Sequence, residues 1–337
     1  MRSLVVALSL ACLISLAKAQ DPAHDPADPS KHTVQFITVD KDVKLEVLDW
    51  GGTGRPMILL AGLGNNAHVF DSLAPKLISS YHVYGITRRG YGLSSAPVPS
   101  DDNYSADRLG DDVLAVIAAL KLVRPIVAGH SIAGEELSSI GSRHPEKVAG
   151  LIYLDASFAY AFYDPAQGNL LIDAADPRRR LENLVSSAGP REQEAALKEL
   201  QQSILAQFEK DLKTQEDELA KIPEPPAGSP AASKPPEVSP IVKAILMGEQ
   251  KYTSIKVPVL AICAVPHDLG SRYENDPVAR AAAEASDLAR TTALANTFQT
   301  GVPSAHVVHL AYANHYIFNS NEADVLREIN AFTATLP

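Results

Sequence analysis

Hydrophobic and polar positions alternate in Thr33-Val-Gln-Phe-Ile-Thr-Val and again in Lys44-Leu-Glu-Val-Leu-Asp-Trp, the period of two expected of half-buried strands. These two runs predict an antiparallel hairpin at the edge of a sheet. After it the rhythm changes. Residues 57–61, 82–86, 125–128 and 148–154 are apolar without alternation, and helical segments at 70–79 and 105–120 separate them. Strands buried on both faces and alternating with helices predict a parallel sheet. The pattern breaks at Ala156. Residues 178–222 form a long, strongly charged helical stretch that ends in a Pro-rich run at 223–240, and residues 156–254 read as an inserted helical cap. The Pro, Ala, Ser and Lys of 223–240 bury too little apolar area to offset ordering, so this run reads as a linker or lid edge. The alternation of strand and helix resumes at 257–264, with a helix at 276–297, a strand at 306–310 and a last helix at 322–335, so the core comprises 33–155 and 255–337.

With 337 residues, 46% hydrophobic and 21% charged, the chain can bury one large domain with an insertion. Residues 1–19 carry one early arginine, an apolar run and Ala17-Lys18-Ala19 before Gln20, a small-x-small site that predicts a signal peptide and an exported protein. Residues 20–32 are rich in Asp and Pro and read as a disordered lead-in. No other segment approaches the length of about 20 apolar residues that a transmembrane helix needs, so stable membrane insertion is not expected. Removal of the leader takes Cys12 away and leaves Cys263 alone, in an apolar strand where a buried, inert thiol is expected. It also deepens a net charge that already stands at −10, which argues against nucleic acid or an anionic membrane as partner. Oligomeric state is not legible in the sequence.

The candidate chemistry lies in Ile126-Val-Ala-Gly-His-Ser-Ile-Ala-Gly. Ser131 falls where an apolar strand turns into a helix, between small residues at Gly129 and Ala133. A serine hydroxyl is a poor nucleophile unless lifted clear of the sheet, where a base can reach its proton. A serine N-cap on the following helix reads the same residues differently. The base best placed among ten histidines is His315, on the loop after the last strand. The acid is expected to be Asp268, just past the strand at 257–264, with Asp155, at the end of the strand at 148–154, as the alternative. Two backbone donors would face a developing oxyanion: the N–H of Ile132, directly after the serine, and that of Leu63, in the glycine-rich turn Gly62-Leu-Gly-Asn-Asn. No H-E-x-x-H, clustered Cys/His or dinucleotide fingerprint occurs, so neither metal nor cofactor is expected.

These residues together resemble the α/β-hydrolase superfamily, over nearly the whole mature chain outside the cap. The order Ser131, Asp268, His315 fits that family. Gly85-Ile-Thr-Arg-Arg-Gly-Tyr-Gly-Leu-Ser is similar to its D-x-R-G-x-G-x-S loop, with Thr87 in place of the aspartate. Ala133 replaces the last glycine of G-x-S-x-G, and Ala61-Gly62 stands where many members have His-Gly. The resemblance implies an α/β-hydrolase fold, a mostly parallel sheet flanked by helices with an inserted helical cap. The function it implies is a serine hydrolase acting on a carboxylic ester of a small or medium-sized neutral molecule. Haloalkane dehalogenases and epoxide hydrolases of the fold use an aspartate nucleophile, against which Ser131 argues. Amidase, acyltransferase and C–C bond hydrolase chemistry use the same three groups, and a binding protein that has lost turnover keeps the same fold.

Overall fold

The computed structural model describes residues 31–186, 189–220, 238–271 and 273–337. The proposed signal peptide at 1–19, the lead-in up to residue 30 and most of the Pro-rich run, at 223–237, lie outside the described residues.

Eight strands form one sheet in the order β1-β2-β4-β3-β5-β6-β7-β8. They are β1 (Thr33–Asp40), β2 (Val43–Gly51), β3 (Arg55–Leu60), β4 (Tyr81–Ile86), β5 (Ile126–His130), β6 (Gly150–Leu154), β7 (Val259–Ala264) and β8 (Ala305–Leu310). The alternating runs are the antiparallel hairpin β1-β2, and β2 also meets β4 antiparallel; every other pairing is parallel. The physical distinction is plain. β5, β6 and β7 are buried at every position, whereas Val34 and Phe36 of edge strand β1 are exposed.

The longer helices are α1 (Ala106–Ala119), α2 (Gly134–Arg143), α3 (Ala175–Ser186), α4 (Pro190–Glu199), α5 (Leu205–Ala220), α6 (Pro240–Met247), α7 (Pro277–Gly301) and α8 (Glu322–Thr333). Side-chain caps start several of them: Ser105 accepts from the Arg108 N–H, Ser239 from Val242 and Asp276 from Ala279. Apolar side chains fill both faces of the sheet. Leu109, Val113, Leu137, Ile140 and Phe298 pack on one side, and Phe70, Leu73, Phe318, Val325 and Ile329 on the other.

Two expectations change. The helix expected over 70–79 is a short turn, Ala67–Phe70, followed by a four-residue helix, Ala74–Leu77, because Pro75 cannot donate the backbone bond that would continue the first turn into the second. The charged stretch 178–222 is divided among α3, α4 and α5, with Gly189 and Pro190 restarting the helix and Leu200–Ile204 widened into a π-turn. These helices lie between β6 and β7, and α6 begins at Pro240, the last residue assigned to the Pro-rich linker. Among the described residues no helix is long and apolar enough to cross a membrane.

Candidate active site

The parallel register carries the site. His130 pairs with Leu154 across β5 and β6, so Ser131 and Asp155 are the next residues off two adjacent strand ends. Both have a left-handed backbone, φ +54° at Ser131 and φ +46° at Asp155, a conformation side chains adopt only where the surroundings hold it. The small residues explain how the first turn fits. A Cβ at Gly129 would sit 3.0 Å from the Ala133 Cβ and 3.1 Å from Leu137, and one at Gly134 would run into the Ala156 carbonyl. Ser131 is buried, and Ser131–Ala133 form a single tight turn before α2.

His315 stands on the loop after β8, and its Nδ1 lies 2.6 Å from Asp155 Oδ2. A carboxylate oxygen only accepts, so Nδ1 carries the proton and Nε2 is the ring nitrogen free to take another. His130 fixes this loop from below, with its Nε2 3.0 Å from the His315 carbonyl and the two ring centroids 4.6 Å apart. Burial pushes His130 down to about 3, with the neighbouring His315 adding to the effect, so His130 is neutral and donates through Nε2.

The carboxylate that meets His315 is Asp155, not Asp268. Asp155 is buried and both of its oxygens are engaged: Oδ2 faces His315 and also His267 Nε2 at 2.8 Å, and Oδ1 accepts from the Ala264 N–H at 3.0 Å. Burial alone would raise its pKa, but the hydrogen bonds from His267 and His315 outweigh it and hold the carboxyl well below the usual range. Asp268 has a half-exposed side chain that accepts from the Gly270 N–H at 2.9 Å and lies 4.0 Å from Arg280. The cause is alternation. His267 extends the edge of β7 by bridging to Ala313, successive side chains point to opposite sides, and His267 is the one turned towards Asp155.

The turn after β3 lies against the serine. A Cβ at Gly62 would fall 2.8 Å from His130 Nδ1 and 3.1 Å from the Ser131 Cβ, so only glycine lets the chain pass there. Leu63 follows directly and is partly buried, while Ile132 is fully buried behind Ser131. Arg88 braces this arrangement: its Nε meets Glu136 Oε1 of α2 at 2.5 Å, and its Nη2 donates to the Ala61 carbonyl at 3.0 Å. Thr87, which stands for the aspartate of the related loop, donates to Glu46 at 2.7 Å and accepts from the Ala67 N–H at 3.1 Å.

One family model, described as the alpha/beta hydrolase fold, matches residues 55–310. The chain belongs to the α/β-hydrolase family. Among curated relatives, the chain is similar to a fluoroacetate dehalogenase of a Burkholderia species, 33% identical over 34% of the chain and 38% of the relative. It is also similar to a putative carbamate hydrolase of Caulobacter segnis, 30% identical over 35% of the chain and 44% of the relative. The chain thus spans about two fifths of the length of these relatives. Among solved structures, an E-2-(acetamidomethylene)succinate hydrolase aligns over 90% of the chain and all of the other at a TM-score of 0.51 and 18% identity. An enzyme described as degrading N-acyl homoserine lactones aligns over 88% of the chain and all of the other at 0.53 and 18%. At this identity the likeness is one of fold.

Among the aromatic residues at the start of the segment after β6, Tyr160 lies beside Ser131 and Phe158 packs against His315. The buried Tyr160 hydroxyl approaches Ser131 without closing a hydrogen bond of good geometry. Tyr163 instead donates to Asp173 Oδ1 at 2.8 Å, and Phe162 packs on Phe298. Two carboxyls near Tyr160 have surroundings that the sequence does not show. Glu135, on the first turn of α2, has both oxygens buried without a partner, and burial together with the Glu249 charge pushes its pKa well up. Burial raises Glu249 to about 8. His267 was equally hidden, since nothing in Val265-Pro-His-Asp marks which of its polar residues turns inward.

Proposed function

We propose that this hydrolase cleaves a carboxylic ester of a small or medium-sized neutral substrate through an acyl-enzyme on Ser131. The observation that carries the reading is the 2.6 Å contact from Asp155 to His315 Nδ1, on the strand end next to a serine held at positive φ. His315 Nε2 takes the Ser131 proton as Oγ bonds to the ester carbonyl carbon. The resulting oxyanion meets the N–H groups of Leu63 and Ile132 beside a buried serine, where such bonds are strongest. Collapse breaks the bond to the alkoxy oxygen, which leaves with the proton from His315. Water, activated by the same ring, then releases the acid and restores the serine. No metal or organic cofactor enters this scheme.

Purified mature protein is expected to hydrolyse p-nitrophenyl esters, with the preferred acyl length sizing the pocket, and Ser131→Ala or His315→Ala should lower kcat by about 10⁴-fold while folding persists. Turnover within about tenfold of wild type in Ser131→Ala refutes the assignment. A fluorophosphonate that labels wild type and not Ser131→Ala separates an enzyme from a binding protein of the same fold. Amide, thioester or C–C bond cleavage and acyl transfer share this machinery, and parallel assays on an anilide and an added alcohol acceptor distinguish them. The leader at 1–19 supports an exported enzyme, and the acidic charge supports a small-molecule rather than a nucleic-acid partner.

A further inference from the structure

Asp155 has a second histidine. His267 Nε2 lies 2.8 Å from Asp155 Oδ2, the same oxygen that His315 uses, while its Nδ1 lies 3.1 Å from Asp287 Oδ2 of α7. The His267 backbone N–H also donates to Asp287 Oδ2, at 2.7 Å, and Arg290 donates to Asp287 Oδ1 at 2.7 Å. Each ring nitrogen of His267 thus faces a carboxylate oxygen that is already accepting from another N–H group. Carboxylate oxygens in that state only accept, so both nitrogens are donors and the ring is an imidazolium. A row of alternating charge runs from Arg290 through Asp287 and His267 to Asp155, and ends at the ring of His315.

We propose that His267, held by Asp287, is a positioning residue for the hydrolytic site: a fixed imidazolium that clamps Asp155 so that Oδ2 is presented to His315 Nδ1. The proposal rests on the reading of Ser131, His315 and Asp155 as the reacting set. Asp155 leaves its strand at positive φ, and its side chain is held from more than one direction. The Ala264 N–H holds Oδ1, and the two histidine rings, tilted 59° to each other, hold Oδ2. Among the described residues, three elements supply the charged and titratable groups that face His267. From the end of β6 comes Asp155, from α7 comes Asp287 backed by Arg290, and from the loop after β8 comes His315, whose ring centroid is 6.0 Å away. Burial works against a charge on His267, but the bonds to Asp155 and Asp287 dominate and push it up to about 10, and the same contact holds Asp287 at about 2 against its own burial. The cation therefore persists across the working range of an esterase.

A cation at this place has a cost for the base. It partly cancels the negative charge that favours an imidazolium on His315 during the reaction. Its removal should move the acid limb of the kcat/KM profile to higher pH, by up to about two pH units for a charge at 6.0 Å in an effective dielectric of about 20. His267→Gln keeps a donor towards Asp155 and removes the charge; His267→Ala removes both. The expected result on a p-nitrophenyl ester is an acid limb shifted upward in both variants. kcat should fall less than about tenfold in His267→Gln and about 10- to 100-fold in His267→Ala, with KM little changed. A residue that merely fills space would lower the melting temperature and leave the limb where it was. If His267→Ala does not fold, His267→Gln decides alone.

Ser131→Ala in the same assay keeps the two readings apart. Inactive Ser131→Ala with an unmoved limb in His267→Gln overturns this proposal alone, whereas active Ser131→Ala overturns the proposed function and this inference with it. A check that needs no turnover is the nitrogen NMR spectrum of the full mature chain at about pH 8, where both His267 nitrogens should carry protons. An unprotonated Nδ1 or Nε2 there overturns the proposal.

Discussion

Replacing Asp155 by asparagine changes a single atom and should nearly stop the reaction. In the wild type three N–H groups converge on this carboxylate: His315 at 2.6 Å and His267 at 2.8 Å on Oδ2, and Ala264 at 3.0 Å on Oδ1. An amide offers one acceptor and one donor to these three donors. If its oxygen faces the rings, its NH2 opposes the Ala264 N–H; if it is turned round, the NH2 opposes both imidazoles. The arrangement that relieves the conflict puts the His315 proton on Nε2, which can then no longer accept from Ser131. Loss of the correct tautomer costs about 10⁴ in kcat in triads of this kind, or about 5.5 kcal/mol at about 1.36 kcal/mol per factor of ten. A buried donor left facing a donor adds about 1–3 kcal/mol of lost stability. Asp268→Asn, by contrast, alters a half-exposed group bound to Gly270, and kcat should stay within about threefold. The assay is initial-rate hydrolysis of the best p-nitrophenyl ester by both variants, with thermal denaturation run in parallel to show that each is folded. Asp155→Asn within about tenfold of wild type, or a loss beyond about a hundredfold in Asp268→Asn, would refute the assignment of the acid.

Two further outcomes follow from the buried groups. Glu249 titrates at about 8 when folded and near 4.5 when unfolded, so the folded state holds the extra proton between these values and stability drains away as pH rises through them. Glu249→Gln, which mimics the protonated form, should melt close to wild type at about pH 5 and above it at about pH 8; equal melting temperatures at both would show that Glu249 is not a buried acid. Phe318 is fully buried against Phe70 at a centroid distance of 5.0 Å, so Phe318→Ala should lower unfolding free energy by about 3–5 kcal/mol in urea titration, and a loss under about 1 kcal/mol would contradict its place in the core.

The strands were legible because burial on two faces and burial on one leave different periods in the sequence. Each apolar run without alternation became a parallel strand, and each alternating run joined the edge hairpin. The neighbourhood of Ser131 was legible for a similar local reason, since Gly129, Ala133 and Gly134 are small where the backbone crosses itself. The choice between Asp155 and Asp268 was not local. It depends on which side of a single bridge, between His267 and Ala313, a side chain emerges, and two adjacent polar residues leave that parity open. Glu135 likewise looked like an ordinary acidic residue in the first turn of a helix, and only the packing of Glu249 and Tyr160 around it gives it another meaning.

The guanidinium of Arg88 joins the turn after β3 to the helix after Ser131, through the Ala61 carbonyl on one side and Glu136 on the other. Loop and helix are thereby one rigid jaw. Parting them to admit a bulkier acyl group would break a buried ion pair, at about 3–5 kcal/mol, enough to cancel the gain from burying several methylene groups. Selection for a new substrate would therefore leave this jaw alone and act on the residues between β6 and β7, where α3, α4 and α5 are exposed along much of their length.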